Sequence, residues 1–174
     1  MLNIREKIRV VQDFPKQGIG FFDITTLLKD GPAFRQVIDE FHREYRDTEF
    51  DRIAGTESRG FVFAAALAYK MNKGMIPVRK PGKLPAETYR EEYALEYGTD
   101  AVEMHRDAVE LGMNVLVIDD LLATGGTALA TCRLIEKAGG SVAGVGFMIE
   151  LGFLNGRQQL ENYDLYSMLR IEEE

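Results

Sequence analysis

Two rhythms of apolar residues alternate along the chain. Short, nearly continuous apolar runs occur at 52–55, 75–79, 115–118, 142–149 and 164–169. They read as buried strands, because a strand covered on both faces has no polar side to show. Between them lie segments with apolar residues three and four apart. Phe34, Val37, Ile38, Phe41 and Tyr45 make a helical stripe. It opens at Asp30-Gly31-Pro32, where proline suits the first turn. Residues 61–70 predict a helix of small residues, and 128–138 a helix with Leu129, Leu134 and Ile135 inward. A short helix is expected over 156–160, and an amphipathic one over 2–11 from Leu2, Ile4, Ile8 and Val11. In 13–26, Pro15, Gly18 and Gly20 prevent a regular element through the first half. That segment also carries Phe14, Ile19, Phe21, Phe22 and Ile24, so it lies either on the core or over a ligand. Residues 79–98 are a long polar stretch ending in an alternation of Tyr93, Leu95 and Tyr97. A short strand over 100–105, a turn of helix over 107–111 and a frayed acidic tail over 170–174 complete the pattern. Strands alternating with helices predict one α/β domain over 1–174, a doubly wound and mostly parallel sheet flanked by helices.

Composition narrows the function classes. With 174 residues the chain suits one core, and 45% apolar with 28% charged residues is ordinary for a globular protein. A net charge of −7 argues against a nucleic-acid binder, which needs a basic face. Any anion site must therefore rest on local basic residues. Cys132 is the single cysteine and pairs with nothing internally, so a reducing compartment and a core position are expected. The charged first residues lack the apolar core of a signal peptide, and the longest apolar run, 61–69, is too short for a bilayer. The expectation is a cytoplasmic protein with no membrane partner. His42 lies beside the 34–45 stripe and reads as a surface or satisfied helix residue, and His105 has no evident partner.

The chemistry concentrates in residues 115–127. Four apolar residues lead to Asp119 and Asp120, and after Leu121 and Leu122 come Ala123, Thr124, Gly125, Gly126 and Thr127, just before the 128–138 helix. Strand, tight loop and helix point backbone N–H groups and a helix N-terminus at one spot, which a phosphate suits. Open α/β sheets bind ligands at the carboxyl ends of strands, where the Asp pair is expected. Ionised carboxylates only accept, so they match the hydroxyl donors of a sugar diol. No Gly-x4-Gly-Lys-Ser/Thr occurs, and after Gly18 and Gly20 the third glycine of a dinucleotide fingerprint is replaced by Asp23. A second strand–loop–helix unit carries Glu57, Ser58, Arg59 and Gly60, a plausible second anion site through the Arg59 charge and the Ser58 hydroxyl. Arg79, Lys80 and Lys83 open the long polar stretch, broken by Pro81, Gly82 and Pro85. They form a basic loop or a solvated turn, and a loop of this length inside a small domain is usually functional.

The 115–127 stretch resembles the phosphoribosyl pyrophosphate motif of the type I phosphoribosyltransferases, and its Leu-Leu-Ala-Thr-Gly-Gly-Thr continuation is most similar to the adenine-specific branch. The matching segments are collinear from about 14 to 160. The resemblance implies a phosphoribosyltransferase-like sheet with a small hood from residues 1–30, and transfer of a phosphoribosyl group from phosphoribosyl pyrophosphate to adenine, giving AMP. It implies that Asp119 and Asp120 hold the ribose and that Ala123, Thr124, Gly125, Gly126 and Thr127 hold the 5′-phosphate. Ser58, Arg59, Arg79, Lys80 and Lys83 are the implied pyrophosphate ligands, partly reaching across a homodimer interface. Gly20, Phe21 and Phe22 are the implied adenine contacts. Gly20 replaces a larger aliphatic and Phe22 a basic residue of the common pattern, so guanine, hypoxanthine or xanthine stay as alternative bases. Glu96, which on its alternation alone reads as a solvent-facing strand carboxylate, becomes the implied catalytic residue. Mg2+ is the implied cofactor, held through substrate and water. A non-catalytic sensor of the same ligand is the alternative from another class.

Overall fold

The computed structural model describes residues 2–18, 20–94 and 98–173. The chain opens with a 3-10 turn, Ile4–Lys7, and then strand β1, Arg9–Val11. Strand β2, Phe21–Asp23, pairs antiparallel with β1, and the Arg9–Asp23 ion pair closes the ribbon. The helix expected over 2–11 is therefore a single turn followed by a strand. Ile4 and Ile8 are buried as the spacing requires, but Leu2 and Val10 are exposed and supply no helical face. The adjacent β-branched Val10 and Val11 pair with β2 instead.

Helix α1, Thr25–Leu28, leads into α2, Gly31–Tyr45, whose first turn is capped by the Asp30 carboxylate accepting from Ala33 N at 3.1 Å. Strand β3, Arg52–Thr56, passes through α3, Gly60–Met71, to β4, Gly74–Val78. Pro77 is accommodated because β4 is the edge of the main sheet. The long polar stretch carries a strand: Thr88–Ala94 (β5) pairs antiparallel with Thr99–His105 (β6). Residues 107–111 form turns rather than helix. Strand β7, Asn114–Leu122, extends past the two aspartates instead of ending before them. Helix α4 is Gly126–Lys137, β8 is Ser141–Leu151, and β9 is Leu165–Ile171, so the last strand takes in two residues of the expected tail. Residues 156–160 are a 3-10 helix.

The main sheet has the order β4-β3-β7-β8-β9, all neighbours parallel. Its two faces bury separate cores, and β7 shows why. Leu116 and Ile118 point to the side holding Phe41 and Phe63, while Val115 and Val117 point to the side holding Leu134 and Ile135. With both faces covered, the sheet leaves its strand ends as the place for ligands, and the carboxyl ends of β3 and β7 carry the loops described next.

Candidate active site

A cleft of about 410 Å3 opens at those strand ends. One wall is the end of β7. Asp120 is 4% exposed, and its Oδ2 lies 2.9 Å from Arg59 Nε. Asp119 Oδ1 accepts from the Asp120 N–H at 2.8 Å and lies so close to Gly60 that a side chain there would overlap it. Burial, and then the neighbouring Asp120 charge, push the Asp119 carboxyl well above the usual carboxylate range. Burial raises Asp120 too, and Arg59 offsets only part of that rise. Both carboxylates line the cleft.

The second wall is the turn into α4. Gly125 stands at the N-cap with φ +88° and no side chain caps the helix, so its first N–H groups lack an internal acceptor from a cap residue. All five residues expected to hold a phosphate, Ala123 to Thr127 in order, line the cleft. Tyr93 of β5 packs against this turn, since a Cβ on Gly126 would meet its ring at 3.0 Å.

The third wall follows β3. Glu57, Ser58 and Arg59 all border the cleft, and the Glu57–Ser58 peptide is cis. Arg59 does more than a free anion ligand would. It pairs with Asp120, lies 5.2 Å from the Phe21 ring centre and donates to the Phe22 carbonyl at 3.3 Å, tying the ribbon to β7. Of the expected base contacts, Phe21 reaches the cleft, whereas the Phe22 side chain is 5% exposed and turns into the core. Neither Gly20 nor Phe22 lines the cleft.

Lys80 lines the cleft, while Arg79 and Lys83 sit behind Glu57. Glu57 is a functional candidate the sequence did not single out. It accepts from Arg79 Nε at 3.2 Å, from Lys80 N at 2.9 Å and from the Lys83 ammonium. Burial alone would raise its pKa, but the Lys83 and Lys80 N–H donors hold it below the ordinary value. Lys80 itself pairs with Asp100 and bonds the Tyr93 hydroxyl at 2.6 Å. No local pattern announces these partners, which come from 13 to 26 positions away. Glu96 lies outside the described residues. Cys132 is fully buried in α4, and burial pushes its thiol up to about 12, as suits a core residue.

A family model for the phosphoribosyl transferase domain matches residues 25–172. Over 97% of this chain and 99% of its own length, the adenine phosphoribosyltransferase of Alkaliphilus metalliredigens is 53% identical. The chain belongs to the adenine phosphoribosyltransferase family. The enzyme of that name from Solibacter usitatus is 56% identical over 98% of both chains. The adenine phosphoribosyltransferase structure from Thermoanaerobacter pseudethanolicus superposes with a TM-score of 0.95 at 51% identity, covering 97% of this chain and 98% of that one. The yeast enzyme, solved with an imino-altritol bisphosphate and adenine, superposes with a TM-score of 0.90 at 36% identity, covering 95% and 96%. The phosphoribosyltransferase fold and enzyme class read from the sequence are thus those of the family.

Proposed function

We propose that the protein transfers the phosphoribosyl group of phosphoribosyl pyrophosphate to adenine, releasing pyrophosphate and AMP in purine salvage. The observation that carries this reading is the convergence of unlike walls on one cleft: a carboxylate pair, a helix N-terminus with free N–H groups, and two basic side chains, Arg59 from the turn after β3 and Lys80 from the segment after β4. The substrate offers a diol, a 5′-phosphate and a pyrophosphate in matching order.

The bond from the anomeric carbon to pyrophosphate breaks as a bond to the purine nitrogen forms. Asp119 and Asp120 accept the ribose hydroxyls and face the positive charge that grows on the sugar. The N–H groups of 123–127 hold the 5′-phosphate and fix the sugar's position. Arg59, Lys80 and, once drawn from Glu57, Arg79 and Lys83 offset the charge on the leaving pyrophosphate. Ser58 donates its hydroxyl to the same group. Phe21 covers the base, with the backbone of 20–22 as its edge, so residues 1–30 act as a hood. Glu96 handles the purine proton or stabilises the transition state.

Among the described residues no three His, Cys, Asp or Glu side chains form a metal cage. Mg2+ would arrive carried by substrate phosphates and water, as this ion commonly is. So bound, it would neutralise charge on the leaving group. We also propose a cytoplasmic homodimer, and no helix of the described residues is long and apolar enough to cross a membrane.

Product chromatography with adenine, phosphoribosyl pyrophosphate and Mg2+, with guanine, hypoxanthine and xanthine in parallel, tests the reading. AMP from adenine alone is expected, and a different preferred base would move the hood assignment.

The raised aspartates give a second prediction. A carboxyl held above its usual pKa keeps its proton further toward neutral pH, and a hydroxyl donor favours the ionised form. Binding of phosphoribosyl pyrophosphate should therefore release protons, and affinity should fall as pH drops from neutrality toward the ordinary carboxylate range. Calorimetry in buffers of different ionisation enthalpy reads this directly. Heats independent of the buffer would remove the diol role from the pair.

A further inference from the structure

We propose that the Glu150–Arg157 pair is a positioning device for the phosphate loop. It holds the turn at Gly156 against the backbone of Ala123 and Gly125, and so sets where the loop's N–H groups point. The inference rests on the reading that residues 123–127 take a 5′-phosphate.

Glu150 is 2% exposed near the end of β8. Arg157 meets it with two parallel bonds, Nε to Oε1 at 3.0 Å and Nη2 to Oε2 at 2.6 Å. Nη2 also donates to Ser167 Oγ at 3.0 Å, and the Ser167 hydroxyl donates to Glu150 Oε2 at 2.5 Å. Nη1 reaches the Leu165 carbonyl at 3.4 Å. Arg157 is thus fixed to two neighbouring strands, β8 and β9. A planar, bidentate guanidinium fixes orientation as well as distance.

Gly156, the preceding residue, transmits that fixation. Its backbone is packed onto the loop so tightly that a Cβ would overlap the Ala123 carbonyl and lie 2.9 Å from the carbonyl carbon of Thr124. The contact is reciprocal: a Cβ on Gly125 would lie 2.5 Å from the Gly156 carbonyl oxygen. Backbone against backbone leaves no flexible side chain to absorb a shift, so moving Gly156 moves the loop. Neither Glu150 nor Arg157 lines the cleft, so neither is a catalytic residue. Glu150 is buried but the Arg157 side chain is 41% exposed, so solvent screens the pair and it is a modest source of stability. Its value here lies in orientation.

That contrast supplies the test. The double variant Glu150→Leu, Arg157→Met removes both charges together and should fold, while Arg157→Lys keeps the charge and loses the bidentate geometry. Calorimetry would read AMP and ribose 5-phosphate, which need the loop, against inorganic pyrophosphate, which binds on the Arg59 side. In the double variant, affinity for the first two should fall about tenfold, with pyrophosphate binding within about twofold of wild type. Arg157→Lys should show a smaller loss in the same ligands, and it decides the matter if the double variant does not fold. Unchanged AMP affinity in a folded variant, or parallel loss of AMP and pyrophosphate, would overturn the positioning role. A wild-type protein that binds neither AMP nor ribose 5-phosphate would instead overturn the loop reading, and the clamp with it.

Discussion

Asp119→Asn combined with Asp120→Asn is expected to lower kcat/KM for phosphoribosyl pyrophosphate by at least on the order of 10^3-fold, because two acceptors facing a developing cation are lost at once. The substitution is nearly isosteric, so the cleft keeps its shape. The fold should not suffer either. In the free protein both carboxyls are held above the usual range, chiefly by burial. A carboxyl raised in this way binds its proton more tightly folded than unfolded, so its ionisation costs stability as pH rises above the ordinary carboxylate value. Removing two such groups removes that cost at neutral pH. Arg59 loses its partner, but its side chain is 35% exposed and keeps the Phe22 carbonyl and the Phe21 ring. Melting temperature at neutral pH is therefore expected to hold or rise while turnover collapses. Steady-state kinetics with thermal unfolding separates these outcomes, and a stable variant with near-native turnover would end the assignment of the pair to the ribose.

The pair was legible in the sequence because its signal is local. Strand, acid pair, small-residue loop and helix follow one another within thirteen positions from 115 to 127, and each step restricts the next. The same holds for α2, which announces itself through Asp30, Pro32 and a five-residue stripe. What stayed hidden depends on partners distant in sequence. The β1–β2 ribbon needs both strands before either is favourable, so the spacing of Ile4 and Ile8 read as helix. The basic residues at 79, 80 and 83 were visible as charge, but not that Glu57 and Asp100 already neutralise them. An anion drawn to Arg79 or Lys83 would have to compete with Glu57, and one drawn to the Lys80 ammonium with Asp100. Arg157 carried no signal at all: in the sequence it is one charged residue of a short polar helix, and only the register of β8 against β9 gathers Glu150 and Ser167 around it.

Gly125→Ala should weaken AMP binding on the order of 10^2-fold, the scale of loss expected when a binding element shifts by about an ångström. Two effects coincide at this position. The backbone is left-handed, with φ +88°, which costs an L-residue about 1–2 kcal/mol. The added methyl would also meet the Gly156 carbonyl oxygen at 2.5 Å, and that oxygen is held by main chain that cannot rotate aside. The loop must therefore lift, carrying with it the N–H groups at the start of α4. Gly112→Ala separates the two effects. Gly112 has φ +82° and nothing within 4 Å of an added Cβ, and it lies outside the cleft. It should show the backbone cost alone, a fall in melting temperature of roughly 2–8 °C, with AMP affinity unchanged. If Gly125→Ala lost stability to the same degree as Gly112→Ala and kept its AMP affinity, the turn would be a structural cap and the 5′-phosphate would have to be held elsewhere. Loss of affinity at position 125 alone places the phosphate on the helix N-terminus by a route independent of any side chain.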